Sequence, residues 1–262
     1  MHIVVCIKQV PDTSDVKINP ETNTLIREGV VSIINPFDEN AVEAALVLKE
    51  KHGAKVTVMT MGPPQAEAAL RETIALGVDD VVLLSDRAFA GSDTLATSYA
   101  LAKGIEKMEE KPSLILFGKQ AIDGDTAQVG PGVAELLNLP IITYVRRVEI
   151  EGQLAKVERV FEDGYERMEA ELPLVLTVLK EMNVPRMASL RGRMKAKKAE
   201  IKKWTAADVG ADPDHCGLAG SPTKVVKIFS PPKKVGGIKI EGTAALDAAR
   251  TVVGKLKEQK VI

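Results

Sequence analysis

The feature that most constrains this chain is a regular alternation, from the first residue to about residue 145, of short β-branched runs with longer amphipathic stretches. The β-branched runs fall at 2–8, 55–60, 80–84, 113–117 and 140–145, and they read as strands of repeated βαβ units. Between them, Asp38 is placed to cap a helix that ends at Gly53, and Pro63 and Pro64 open a second that ends at Gly77. Asp93 is placed to cap a third, beginning T-L-A-T-S-Y-A. The expected fold is α/β, a doubly wound and mostly parallel sheet. Crossovers in such units are right-handed, so the strand ends that precede helices share one rim, and ligands bind at that rim.

Composition agrees. Hydrophobic residues make up 45% of the 262-residue chain, enough for a substantial core, but aromatics only 3%. The core must therefore be built from Val, Ile, Leu, Ala and Met, as in a buried parallel sheet, and an all-β sandwich is disfavoured. With 35 basic and 36 acidic residues the formal charge is -1, so no global field draws the chain to nucleic acid or anionic membrane. The start M-H-I-V-V-C-I-K lacks a signal peptide's basic and small-residue marks, and no apolar stretch approaches the roughly 20 residues of a bilayer span. A cytoplasmic protein without membrane insertion is expected. Cys6 and Cys216 have no second Cys or His at metal-ligand spacing, so no metal site is expected, and His215-Cys216 reads as a surface loop.

After residue 145 the pattern changes. Residues 146–172 alternate in period two, with turns at Glu151-Gly152 and Asp163-Gly164, which predicts an antiparallel ribbon. P-L-V-L-T-V-L at 173–179 then reads as a buried strand returning to the sheet. Residues 1–185 are expected to form a nucleotide-binding core that includes the ribbon. Residues 186–262 read as a loop followed by an extended arm, closing in a helix from about Thr243 to Lys257. The long polar excursion from 10 to 37 holds V-K-I-N and T-L-I-R, a candidate hairpin over the rim.

Residues 114–137 run from a buried strand into a loop with Gly118, Gly124, Gly130 and Gly132, then into a helix entered near Pro131. Glycines allow close backbone approach, and free amides at a helix start hold anions, so phosphate is the natural guest. Neither a Walker A loop nor G-x-G-x-x-G occurs, and a purely structural loop is the competing reading. Thr126 and Gln128 offer neutral hydrogen bonds, whereas Asp123 and Asp125 suit ribose hydroxyls or loop caps. Cys6 to Gln9, Asn35-Pro36-Phe37-Asp38, Met61-Gly62-Pro63 and Gly91-Ser92-Asp93-Thr94 fall on the same rim, where separate loops would ring one pocket.

Between Arg186 and Lys203 lie eight basic residues (Arg186, Arg191, Arg193, Lys195, Lys197, Lys198, Lys202, Lys203) and one acid, Glu200. Such a run is a solvated face, a nucleic-acid contact or a docking site for an acidic protein. Trp204 is the sole aromatic there, which leaves no stacking platform and argues against nucleic acid. Leu190 and Met194 set among charges fit a protein partner. No nucleophile-elbow, zinc-protease or Ser/His/Asp pattern appears, so no catalytic side chain is expected, and any redox chemistry must come from a bound cofactor.

Taken together, V-C-I-K-Q-V-P-D at 5–12, N-P-F-D-E-N-A-V-E-A-A at 35–45, G-K-Q-A-I-D-G-D at 118–125, the stretch from Val157 to Thr177 and P-R-M-A-S-L-R-G-R-M-K-A-K-K at 185–198 resemble the β subunit of electron-transfer flavoproteins. Met168 stands where that family usually has Leu, Ile or Val. The resemblance implies a heterodimer with an α subunit that carries one FAD, and an adenine nucleotide in this chain ringed by Cys6, Asn35, Pro36, Phe37, Asp38, Met61 and the loop holding Gly118, Gln120, Asp123, Gly124, Asp125, Thr126, Gln128 and Val129. It further implies that Leu190, with Arg191, Met194 and Lys195, docks an acyl-CoA dehydrogenase, and that the C-terminal arm embraces the α subunit. One branch of the family holds AMP here and another holds a second FAD that oxidises NADH and splits its electrons, with ferredoxin or flavodoxin as the second acceptor. G-D-T-A-Q-V-G-P at 124–131 is similar to the second branch, with Thr94, Thr97, Thr126 and Gln128 as implied flavin contacts.

Overall fold

The computed structural model describes residues 1–12, 32–226, 236–240 and 244–262. The candidate hairpin of V-K-I-N and T-L-I-R lies outside the described residues. Residues 1–227 form one compact unit and 228–262 a second.

In chain order the strands are β1 (His2–Cys6), β2 (Gln9–Pro11), β3 (Ser32–Ile34), β4 (Lys55–Met61), β5 (Asp80–Leu84), β6 (Leu114–Gly118), β7 (Ile141–Glu151), β8 (Leu154–Phe161), β9 (Gly164–Glu171), β10 (Leu174–Val178) and β11 (Lys202–Trp204). β2 and β3 form a small antiparallel pair, and the other nine build one sheet in the order β11-β5-β4-β1-β6-β10-β7-β8-β9. Pairing is parallel from β11 across to β7 and antiparallel through β8 and β9. β7 belongs to both regimes, running parallel to β10 over its first half and antiparallel to β8 over its second. Register shifts between Val145 and Arg147, beside Tyr144 at φ 59°, mark the join.

The helices are α1 (Pro36–His52), α2 (Glu67–Leu76), α3 (Thr94–Lys107), α4 (Val129–Leu136), α5 (Leu190–Lys198) and α6 (Ala245–Glu258). Successive residues of a strand point to opposite faces, and both faces here are apolar. Ile3 and Val5 of β1 and Leu114 and Leu116 of β6 pack with Ala41, Ala45, Leu70 and Ala196 from α1, α2 and α5. Val4, Cys6, Ile115 and Phe117 pack with Leu101, Ile105, Val133 and Ala134 from α3 and α4. The sheet is doubly wound, as expected.

One local expectation changes and one holds. Asp38 does not cap α1: the helix begins at Pro36, whose fixed φ and missing N–H suit a first helical turn, and Asn35 is the capping residue. Asp93 does cap α3, its carboxylate accepting from the Leu95 and Ala96 amides at 3.0 and 3.1 Å.

The compact unit runs past the expected boundary at residue 185. β11 adds to the free side of β5, and Ala206, Val209 and Cys216 are buried against the α3 face of the sheet. Cys216 is therefore core rather than surface loop, while its neighbour His215 is exposed, its ring 5.2 Å from that of Tyr99. In the second unit α6 is amphipathic, with Leu246, Val252 and Val253 exposed. Among the described residues no helix is long and apolar enough to cross a membrane.

Candidate functional site

Chain order reverses at β1. β4 and β5 lie to one side of it and β6 to the other, so the C-terminal ends of β1 and β6 border a topological switch point, the usual binding crevice of an open α/β sheet.

Three segments meet there. Asn35, fully buried before α1, donates its side-chain amide to the Gln120 carbonyl at 2.8 Å and accepts from the Ile122 amide at 3.1 Å, while its own N–H donates to the Lys8 carbonyl at 2.9 Å. Asp38, one turn into α1, accepts from the backbone N–H of Lys8 at 2.7 Å and of Gly118 at 3.0 Å. Burial pushes the Asp38 carboxyl up to about 7, against the lowering effect of these hydrogen bonds. Burial, with Asp38 beside it, likewise keeps the Cys6 thiol protonated well above its ordinary range. The thiol is an inert core group.

The loop after β6 is exposed from Ile122 to Thr126 and again at Gln128, and its charges are paired within the rim. Lys8 Nζ meets Asp123 at 2.7 Å, and the Gln120 amide donates to Asp125. Asp125 and Ala127 each adopt φ 54°, a left-handed conformation unusual for residues with a Cβ and typical of functional turns. Gln128 then leads into α4 without a side-chain cap of its own. The Thr94 hydroxyl at the start of α3 donates to Gln128 Oε1 at 3.1 Å, tying a fourth element to the loop.

The glycines divide by role. A Cβ at Gly118 would strike the Asp38 carboxylate and Phe37, one at Gly130 Thr177, and one at Gly132 Ser98, so these three admit helices to the sheet and to each other rather than a ligand to the backbone. A Cβ at Gly124 would meet nothing within 4 Å. Only there does the expectation of ligand approach stand unopposed by packing.

Among the remaining expected site residues, Pro36 and Phe37 form the first turn of α1, half-buried, with Lys180 Nζ 4.9 Å from the Phe37 ring. Met61 ends β4 at the same rim, but Thr60 makes the link to β1, its hydroxyl donating to the Ile7 carbonyl at 2.7 Å. Thr97 lies half-buried in the first turn of α3, its amide bonded to the Asp93 carbonyl. Lys8 lies within the expected Cys6 to Gln9 segment but was not singled out there. Its signal was available in a basic residue two places after a strand that ends on the rim.

The residues expected to dock a partner stand elsewhere. Ser189 caps α5, its hydroxyl accepting from the Gly192 amide at 3.0 Å, and a Cβ at Gly192 would strike the Ala75 carbonyl, so α5 lies directly on the end of α2. Arg71 closes the other end of α5 by donating to the Ala196 and Ala199 carbonyls at 2.6 and 3.1 Å. The approach to α5 is fixed by Arg186, which pairs with Glu43 and Glu50 of α1, and by a reciprocal Asn40–Asn183 pair. Leu190 is left 78% exposed, in the company of Val184, Met187 and Met194 and of charged Arg191 and Lys195. Two shallow concavities occur on the ribbon, lined by residues 161–166 and by residues from Arg147 to Glu169, and neither includes a rim residue.

A doubly wound, mostly parallel sheet with a loop held over its switch point places the chain among the open-sheet α/β proteins. The electron transfer flavoprotein domain model matches residues 22–209, and the chain belongs to that family. It is 54% identical over 263 residues to the caffeyl-CoA reductase-Etf complex subunit CarD of Acetobacterium woodii, covering 100% of both chains. It is 53% identical to the electron transfer flavoprotein subunit beta of Clostridium acetobutylicum, again over 100% of both. To the protein FixA of Azotobacter vinelandii it is 52% identical over 238 residues, 88% of this chain and 84% of that one.

Proposed function

We propose that this chain, as the β subunit of a heterodimeric electron-transfer flavoprotein, holds FAD at the rim and takes part in oxidising NADH. Its electrons are divided between the FAD of an α subunit, serving an acyl-CoA dehydrogenase, and ferredoxin or flavodoxin. The observation that carries the reading is the loop from Gly118 to Val129, drawn over the switch point by Asn35, with room for a Cβ at Gly124 among the described residues.

The residues fit such a group. The start of α4, where Gln128 provides no side-chain cap, suits a phosphate, and Thr94, Thr97, Thr126 and Gln128 supply neutral hydrogen bonds that carry no charge to repel it. Asp123 and Asp125, the two acids of the loop, are taken up by Lys8 and Gln120. Bound flavin supplies hydride acceptance and one-electron transfer, and the chain supplies position and electrostatics. Leu190, Met187 and Met194 form an apolar anchor within a basic rim, the make-up of a docking site for an acidic protein surface. The relatives support a complex of this kind, since one is by name a subunit of a reductase-Etf complex.

Nucleotide content tests the reading. The purified heterodimer is denatured and its released nucleotides are quantified. Two FAD per heterodimer, with anaerobic bleaching by NADH, is the expected result. One FAD and one AMP would overturn the assignment of FAD to the rim.

A further inference from the structure

Asp38 sits where the residues of a nucleotide rim are expected, yet its carboxylate is buried. The residue is 6% exposed, and its two oxygens are engaged separately, Oδ2 by the Lys8 amide and Oδ1 by the Gly118 amide. The β1–β6 ladder has its last register pair at Cys6 and Phe117, so the carboxylate bridges the two strands just where they cease to hold each other. Gly118 lacks a side chain where a Cβ would occupy the place of that oxygen. Asn35, three residues earlier, holds Gln120 and Ile122 of the same loop.

We infer that Asp38 is a positioning residue: by joining the ends of β1 and β6 it sets the placement of the loop Gly118 to Val129, and it does so fully only when ionised. The inference rests on the nucleotide reading above. A carboxylate offers both oxygens to N–H donors, whereas a protonated carboxyl turns one into a hydroxyl that is a poor acceptor and needs an acceptor of its own. Losing the proton therefore tightens the join, and gaining it slackens one side.

Other titratable groups lie close by. β1 presents the Cys6 thiol, held protonated, and Lys8, paired with Asp123 of the loop. β6 leads into Lys119, whose ammonium lies 5.3 Å from the Tyr144 ring centre. α1 adds Glu39, its carboxyl raised by burial and by Glu72. Asp38→Asn leaves all of these in place, so the difference between that variant and the parent isolates Asp38.

A purely structural role makes nucleotide retention follow stability, but here the two diverge. Because the native carboxyl is raised, the stability it contributes is present at pH below the ordinary carboxylate range and is lost as pH climbs to about 7. Retention goes the other way, rising as the carboxyl ionises.

The test measures FAD and AMP release from the heterodimer between pH 5.5 and 8.5, in the parent and in Asp38→Asn. At the alkaline end the variant should release nucleotide about tenfold faster, the equivalent of one lost hydrogen bond to a charged acceptor. At the acid end the two rates should converge. Equal rates at high pH, or a ratio that does not change with pH, would overturn the inference.

If Asp38→Asn fails to fold, hydrogen exchange of the parent decides. Protection of the Lys8 and Gly118 amides, corrected for intrinsic rates, should fall as pH drops below about 7, and constant protection would overturn the inference. A parent heterodimer without nucleotide in this chain would instead refute the proposed function, leaving the Asp38 join to be judged by that exchange profile alone.

Discussion

The rim loop and the docking helix hang from the same helix by different means. At its N-terminus α1 holds the loop after β6 through Asn35 and Asp38, both buried, which bond to the backbone of Gly118, Gln120 and Ile122. Further along, buried Asn40 and Glu43 hold the approach to α5 through the Lys180 and Asn183 carbonyls and the Arg186 amide as well as the Asn183 and Arg186 side chains, and exposed Glu50 adds a surface pair with Arg186. Hydrogen bonds to backbone fix the course of a chain, and buried ones are expensive to leave unmade. Ion pairs near solvent fix it loosely and cost less to lose. α1 thus holds both segments through buried side chains; what sets the second apart is its added surface pair, Arg186 with Glu50, and an apolar tip left in water.

Four substitutions probe that contrast. The largest effect is expected from Gly118→Ala, whose methyl must displace Asp38 and Phe37 in a closed core, at about 3 kcal/mol. Denaturant unfolding would measure it, and a loss under about 1 kcal/mol would show that the rim gives way easily after all. Arg186→Ala leaves Glu43 buried without its cation. Because Arg186 is 30% exposed, the loss should be nearer 2 kcal/mol than the 3–5 of a fully buried pair. Hydrogen exchange should then rise at Ser189 to Ala196 but not at Gly118 to Val129, and a rise in both would erase the distinction.

Ser189→Ala removes the α5 cap and should cost about 1 kcal/mol, visible as fraying of the first turn. Leu190→Ala should change stability by less than about 0.5 kcal/mol, since the side chain is already in water. Its effect belongs to docking, where a central anchor lost to alanine weakens partner binding by roughly tenfold or more, measured as KM for the dehydrogenase. Unchanged KM would place the anchor elsewhere.

Much of this was legible in the chain. Short apolar runs alternating with amphipathic stretches specified the doubly wound sheet, and parallel topology alone put the Asn35, Met61, Thr94 and Gly118 loops on one rim. Local rules failed where a distant neighbour decides the matter. Asp38 looked like a cap because it precedes an apolar run, yet Asn35-Pro36 had already started the helix and freed its carboxylate for Lys8 and Gly118. Gly118, Gly130 and Gly132 looked like ligand approaches, but the atoms that require them belong to Phe37, Thr177 and Ser98, which no spacing within the loop reveals. The boundary near 185 came from sparse apolar content after it. Ala206, Val209 and Cys216 are too scattered to read as a core, and they become one only by completing a face the sheet already presents.

Position in the chain gives α5 one more property. It is the crossover between β10 and β11, and the four strands enclosed by those two are β6, β1, β4 and β5. A protein that pulls on the docking helix therefore loads the sheet at both borders of the strand set that ends under the candidate site.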